Sequence, residues 1–341
     1  MPPVFLLFIN KQLASRTKKY YTFIKTEVKV LQWIKQIISK KSFLQKKITK
    51  IVGVTLIYYL IFQVGASGVF LFLKHVLKWP LQRLNQSGWP YLAAILFGFI
   101  FIILISSKQD WQRYWQTGPQ KMTAKTFLSL IAILLTGQIA ASLFAQFLES
   151  VFQLFGLSVL AQLKDATQHS ESFSMLLYAA VFGPLLEELV FRGFVLQSLN
   201  KINSVLAILG SAYLFGLYHV NFVQSPFAFL IGLVLGYTAL TYGLFWSLLL
   251  HIFNNFVLGD FLNQLLRLVP TIAANEISSG LILFGGIIGV LVLAAKSQLI
   301  KAWFSKLKLS RQFIKLYFGN HLVILITVSV VIIACLSLGR V

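Results

Sequence analysis

GPLLEELVFRGFV, from Gly183 to Val195, has the apolar density of a membrane helix yet holds Glu187, Glu188 and Arg192. An ionisable side chain at the centre of a spanning helix costs about 2.5–3.5 kcal/mol on insertion scales. Three in one block therefore demand partners. Glu188 and Arg192 stand four apart, on one helical face, and are expected to pair. Glu187 is turned about 100° from Glu188 and has no cation nearby in sequence. One glutamate is neutralised locally and the other is available to something across the bundle. Pro184, one turn earlier, is a candidate kink.

The surroundings of this block are those of a membrane protein. The 341 residues are 57% hydrophobic and 11% charged, with mean hydropathy +0.79, whereas a soluble domain carries roughly 25% charged residues. Apolar blocks fall at about 51–73, 90–107, 127–148, 174–199, 204–220, 227–243, 244–262, 278–295 and 321–339, each near the roughly 20 residues that cross a hydrocarbon core. These predict an all-α, polytopic transmembrane helical bundle of nine spans, or eight if one block is re-entrant. Four regions follow: a basic amphipathic segment over 1–50, an N-terminal transmembrane hairpin over 51–126, a core over 127–295, and a basic loop with a final helix over 296–341.

The net charge of +21 is concentrated at the membrane margins. Twelve Lys or Arg lie in residues 1–50 beside one acid, Glu27, and six lie between Lys296 and Lys315 with no acid. Ile24, Val28, Leu31, Ile34 and Ile38 recur at three- and four-residue steps among the lysines, the spacing of a helix lying on a membrane surface. With a cytoplasmic N-terminus, the inner segments sum to about +21 and the outer ones to about +1, as the positive-inside rule requires. The basic segments thus point to anionic lipid. Nucleic acid is not an expected partner, because no recognition motif accompanies the charge. Cys335 is the single cysteine, so no intrachain disulfide forms. The opening MPPVFLLFI is too short for a cleavable signal peptide, and its basic residues follow the apolar ones.

Polar residues inside two further blocks match Glu187. One block carries Phe215 and His219, four apart, and another carries His251 and Asn255, also four apart. Taking Asn200–Asn203 as the turn, Glu187 lies 16 residues before Asn203 and His219 lies 16 after it, about 24 Å each way. A hairpin therefore brings them level. His251 is about 12 Å past the turn at Gly243, so it joins them if the Asn200–Asn203 hairpin projects further into the cytoplasm. A cluster of Glu187, His219, His251 and Asn255 admits three chemistries. A buried carboxylate and imidazole activate a water while a second imidazole and an amide bind the oxyanion. One carboxylate and two histidines, Glu187, His219 and His251, hold a divalent metal, although no HExxH occurs and no fourth ligand stands out. Alternatively, the residues are interhelical polar glue or a proton path. His75, His169 and His321 sit at block edges or in loops and are read as solvated.

The ordered set Glu187-Glu188-x-x-x-Arg192, Phe215-x-x-x-His219 and His251-x-x-x-Asn255 resembles the three motifs of the CAAX-protease and bacteriocin-processing (CPBP, or Abi) family. These are intramembrane endopeptidases related to type II CAAX prenyl endopeptidase. The resemblance covers about residues 130–295, and no motif position departs from it. It implies a glutamate-dependent protease without an obligatory metal or other cofactor. Glu187 and His219 would activate the water, and His251 and Asn255 would form the oxyanion pocket. Glu188 and Arg192 would support the site, and Phe215 would line it. The substrate would be a membrane-associated peptide or protein. Bacteriocin maturation or self-immunity are roles found among such relatives, and a bacterial plasma membrane is the expected location. A non-catalytic scaffold that binds a membrane partner, such as a sensor kinase, is the alternative. A transporter would show an inverted repeat and interrupted helices in both halves, which this sequence lacks.

Overall fold

The computed structural model describes residues 39, 41–161, 172–261, 265, 266 and 268–340. Most of the amphipathic segment expected over 1–50 lies outside these residues, as does His169. The chain divides into two compact units, Met1–Ile48 and Thr49–Val341. The helices below belong to the second, apart from the first two turns of α1.

Among the described residues the protein is all-α, 84% helical. In chain order the helices are α1 (Lys41–His75), α2 (Leu81–Asn85), α3 (Trp89–Ile105), α4 (Lys108–Tyr114), α5 (Ala124–Gln153), α6 (Phe173–Asn200), α7 (Ser204–Tyr218) and α8 (Gln224–Tyr242). They continue as α9 (Leu244–Val257), α10 (Thr271–Ala295), α11 (Ser297–Leu309), α12 (Arg311–Phe318) and α13 (His321–Leu336). Every apolar block of the sequence falls on one of these helices. By length and composition, α1, α5, α6, α8 and α10 can each cross a membrane, and the number rises to seven if α3 with α4 and α12 with α13 each count as one bent span. The bends are 116° and 60°. The expected eight or nine and the observed five to seven differ because α7 and α9 are apolar but short. At 1.5 Å per residue, the 15 residues of α7 measure about 22 Å. The protein is a multi-pass membrane protein.

α6 is buried on all sides through its second half, where Glu188–Gly193, Val195 and Leu196 are all buried. A helix that is apolar all round must sit inside a bundle, and α6 is wrapped by α3, α4, α7, α8 and α9. Between lipid-exposed helices, close approach comes from small residues. α10 lies along α5 through Gly285, Gly286 and Gly289, where an added Cβ would strike Leu135, Ile139 and Thr136. Thr136 Oγ1 donates to the Gly286 carbonyl at 2.8 Å across that contact. Gly232 of α8 meets Ala212 of α7 in the same way.

The turn between α8 and α9 rests on Gly243, whose φ of +107° with ψ 161° is open only to glycine. Thr117 bridges it from the loop after α4, and Gln120 N–H donates to the Thr241 carbonyl at 3.0 Å. This turn sets where α9, with His251, begins. Gly243→Ala should destabilise the protein by about 1–3 kcal/mol, read as a lowered unfolding temperature in detergent. Gly280→Ala, where a new Cβ meets nothing within 4 Å, should not lower that temperature, because alanine is the better helix former.

Candidate active site

The site begins with Gly183-Pro184. A proline ring inside a helix collides with the carbonyl four residues back, here Ala180. The helix answers by widening over Tyr178–Phe182, where Gly183 N–H donates to the Tyr178 carbonyl, five residues back. A Cβ on Gly183 would stand 2.8 Å from that oxygen, so glycine permits the approach. The chain returns to α geometry over Gly183–Glu187 and widens again over Glu188–Leu196. Such widened turns are uncommon and concentrate at functional sites. Glu187 and Glu188 therefore straddle a change of helical geometry.

Glu188 is saturated. Its side chain is 1% exposed. Arg192 Nη1 is 3.3 Å from Oε1, His251 Nδ1 donates to the same oxygen at 3.0 Å, and Ser247 Oγ lies 2.6 Å from Oε2. The predicted Glu188–Arg192 pair is present, and it is joined to α9. Arg192 is fully buried, and among the described residues its nitrogens have no hydrogen-bond partner. It is held by charge and by the face of Phe215, 4.3 Å from its Cζ. The Phe215 ring also meets the rings of His219 and His251 edge-on, at 5.1 and 5.6 Å between centroids. Phe215 is the apolar spacer between these cationic and imidazole groups.

Glu187 is different. Its side chain keeps 14% exposure, and its partner is His251, with Nε2 3.6 Å from Oε2. His251 thus lies between both glutamates, one at each ring nitrogen. His219 caps the end of α7, where its Nδ1 stands 3.0 Å from the Phe215 carbonyl. A carbonyl only accepts, so Nδ1 donates and neutral His219 keeps its lone pair on Nε2. Glu187 lies close enough to act electrostatically on His219 and on Tyr58, Tyr178 and Tyr218. These tyrosines form an aromatic group with Phe62, Tyr91 and Phe191. After His219 the chain passes through Val220 at φ +48°, unusual for a β-branched residue. Asn221 Oδ1 then accepts from Val223 and Gln224 N–H at 2.8 and 3.0 Å, opening α8.

Asn255 is held by main chain. It lies on a third widened stretch, Phe253–Phe261, and its Nδ2 donates to the Ala179 carbonyl at 3.2 Å while its Oδ1 accepts from Asn254 at 3.0 Å. Asn254 is therefore a second support, and it accepts in turn from Gln138. The structure brings Glu187, Glu188, Arg192, Phe215, His219 and His251 into one cluster, with Asn255 one helical turn beyond His251. Ser247, Asn254, Gln138, Asn221 and the tyrosines escaped the sequence reading. Only Ser247, four before His251, carried a spacing signal.

His219 and His251 each give Nδ1 to an oxygen acceptor, the Phe215 carbonyl and the Glu188 carboxylate, which leaves Nε2 of both rings facing the site. Among the described residues no three His, Cys, Asp or Glu side chains are grouped to hold an ion.

Removing one partner of a buried ion pair leaves an uncompensated charge. Arg192→Ala should cost about 3–5 kcal/mol, read by thermal unfolding in detergent. Glu188→Gln combined with Arg192→Met should lose less, because no buried charge is orphaned. An equal or larger loss in the double variant would show that the pair does not carry this stability.

Comparison with curated proteins and with solved structures yields no match. A protease family is matched at the site itself: residues 169–257, the stretch holding all three motifs, match the family described as type II CAAX prenyl endopeptidase Rce1-like, the kinship that those motifs resemble.

Proposed function

We propose that this protein is an intramembrane endopeptidase that hydrolyses a peptide bond of a membrane-associated peptide or protein. The observation that carries the reading is the division of labour between adjacent glutamates. Glu188 has every oxygen engaged, whereas Glu187 keeps exposure and one long contact to His251. A carboxylate with spare acceptor capacity in a low-dielectric site can serve as a base.

In this reading Glu187 and the Nε2 lone pair of His219 orient a water and take its proton as its oxygen bonds to the scissile carbonyl carbon. The carbonyl oxygen becomes an oxyanion. Asn255 offers it an amide proton, and His251 offers Nε2–H when it carries a second proton there. The C–N bond then breaks as the proton held by Glu187 passes to the leaving nitrogen. Glu188, Arg192 and Phe215 hold these groups in place. No step is routed through a metal.

The chain crosses the membrane eight or nine times, with a cytoplasmic N-terminus and 127–295 as the proteolytic core. The short apolar helices α7 and α9 and the one-sided distribution of Lys and Arg support this. Lys301, Lys306, Lys308, Arg311 and Lys315 on α11 and α12 sit where anionic lipid of a bacterial plasma membrane would meet them. Peptide processing or bacteriocin immunity is the corresponding cellular role.

Small peptides from cells expressing the wild type or Glu187→Gln at matched level test the proposal. Peptides present with wild type and absent with the variant are expected, together with unchanged yield and thermal stability of the variant. Identical peptide profiles, with any cellular phenotype kept by the variant, would replace proteolysis with a scaffold that binds a membrane partner such as a sensor kinase.

A further inference from the structure

The Ala179 carbonyl that receives Asn255 is unusual in its main chain. In α geometry it would accept from Gly183 N–H, but Gly183 donates to Tyr178 instead. In the wider geometry of Tyr178–Phe182 it would accept from the residue five ahead, and that residue is Pro184, which has no N–H. The donor that either helix type would supply is thus diverted or missing. A carbonyl inside a membrane bundle must find a donor, and Asn255 Nδ2 supplies it at 3.2 Å.

We propose that Pro184 is a positioning residue for Asn255. By widening the helix and withholding its own N–H, it leaves the Ala179 carbonyl open, and that carbonyl fixes the plane of the Asn255 amide. One amide proton is used in the anchor, and the Asn254 side chain holds Oδ1, so the amide cannot flip without losing both contacts. The second amide proton stays available to a substrate oxygen. The anchor stands on geometry alone, whereas its effect on catalysis rests on the endopeptidase reading. Gly183 is the necessary companion, because the diverted hydrogen bond needs the Tyr178 carbonyl closer than a Cβ allows.

The test uses full-length protein in detergent, labelled with 15N-asparagine, with the Asn255 side-chain signals identified by their loss in Asn255→Ala. In the wild type the Asn255 amide should exchange its protons slowly. Exchange as fast as that of an exposed asparagine would overturn the proposal without any variant at Pro184. Pro184→Ala restores an N–H that competes for the Ala179 carbonyl, and removing a proline from a helix favours the helix. The Asn255 signals should move, kcat for a cleaved peptide should fall about tenfold, and KM should hold. In an Asn255→Ala background, Pro184→Ala should cause no further fall in kcat. Unmoved Asn255 signals in Pro184→Ala, or the same fractional loss of kcat with and without Asn255, would overturn the proposal. Moved signals in a protein whose wild type and Glu187→Gln cleave nothing would leave the anchor standing and refute the endopeptidase reading instead.

Discussion

A carboxylate shut away from water, that of Glu188, ties α6 to α9, and the geometry of the site descends from it. Its oxygens take a cation from its own helix, Arg192, and an imidazole and a hydroxyl from α9, His251 and Ser247. A buried ion pair is a weak source of net stability but a strong discriminator, because any arrangement that separates the partners leaves a charge in a low-dielectric interior. A slide of α9 by one residue moves His251 about 1.5 Å and turns it about 100°, which would break its contacts with both glutamates. The His251 and Ser247 contacts to the Glu188 carboxylate therefore set the register of two helices that apolar packing alone would leave free to slip.

Along this tie the charges alternate in space: Arg192, Glu188, His251, Glu187. Each group is flanked by a partner of opposite or adaptable sign until the line ends at Glu187. The terminal carboxylate has a neighbour on one side only, and it is the group that the proposed hydrolysis uses as its base. Phe215 runs beside the line and touches Arg192, His219 and His251, so the two imidazoles are kept apart by a ring that cannot exchange protons with either.

The all-α class, the helices and the motif residues could be read from the sequence, for local reasons. Apolar blocks mark helices, and four-residue spacing marks a shared face, which is why Glu188–Arg192 was predictable. Contacts that depend on helix geometry could not be read. Nothing in an apolar run announces that the turn before Pro184 will widen, and the capture of Ala179 by Asn255 follows from that widening. In a regular α-helix adjacent side chains point about 100° apart, whereas Asn254 lies on a widened stretch and reaches its neighbour's side chain. The tyrosines near Glu187 come from α1, α6 and α7, and aromatic residues are too common in membrane helices to single out. The span count differed because α7 and α9 are apolar throughout yet stop short, and composition does not record where a helix stops.

That shortness has a consequence for depth. Against a hydrocarbon core of about 30 Å, the 22 Å or so of α7 leaves a deficit of about 8 Å. α7 is enclosed by its neighbours, with no residue from Val205 to Tyr218 exposed, so the deficit falls inside the bundle and not against lipid. His219, the residue at which α7 stops, therefore stands short of the depth a full span reaches, which is where the proposed hydrolysis would need its water.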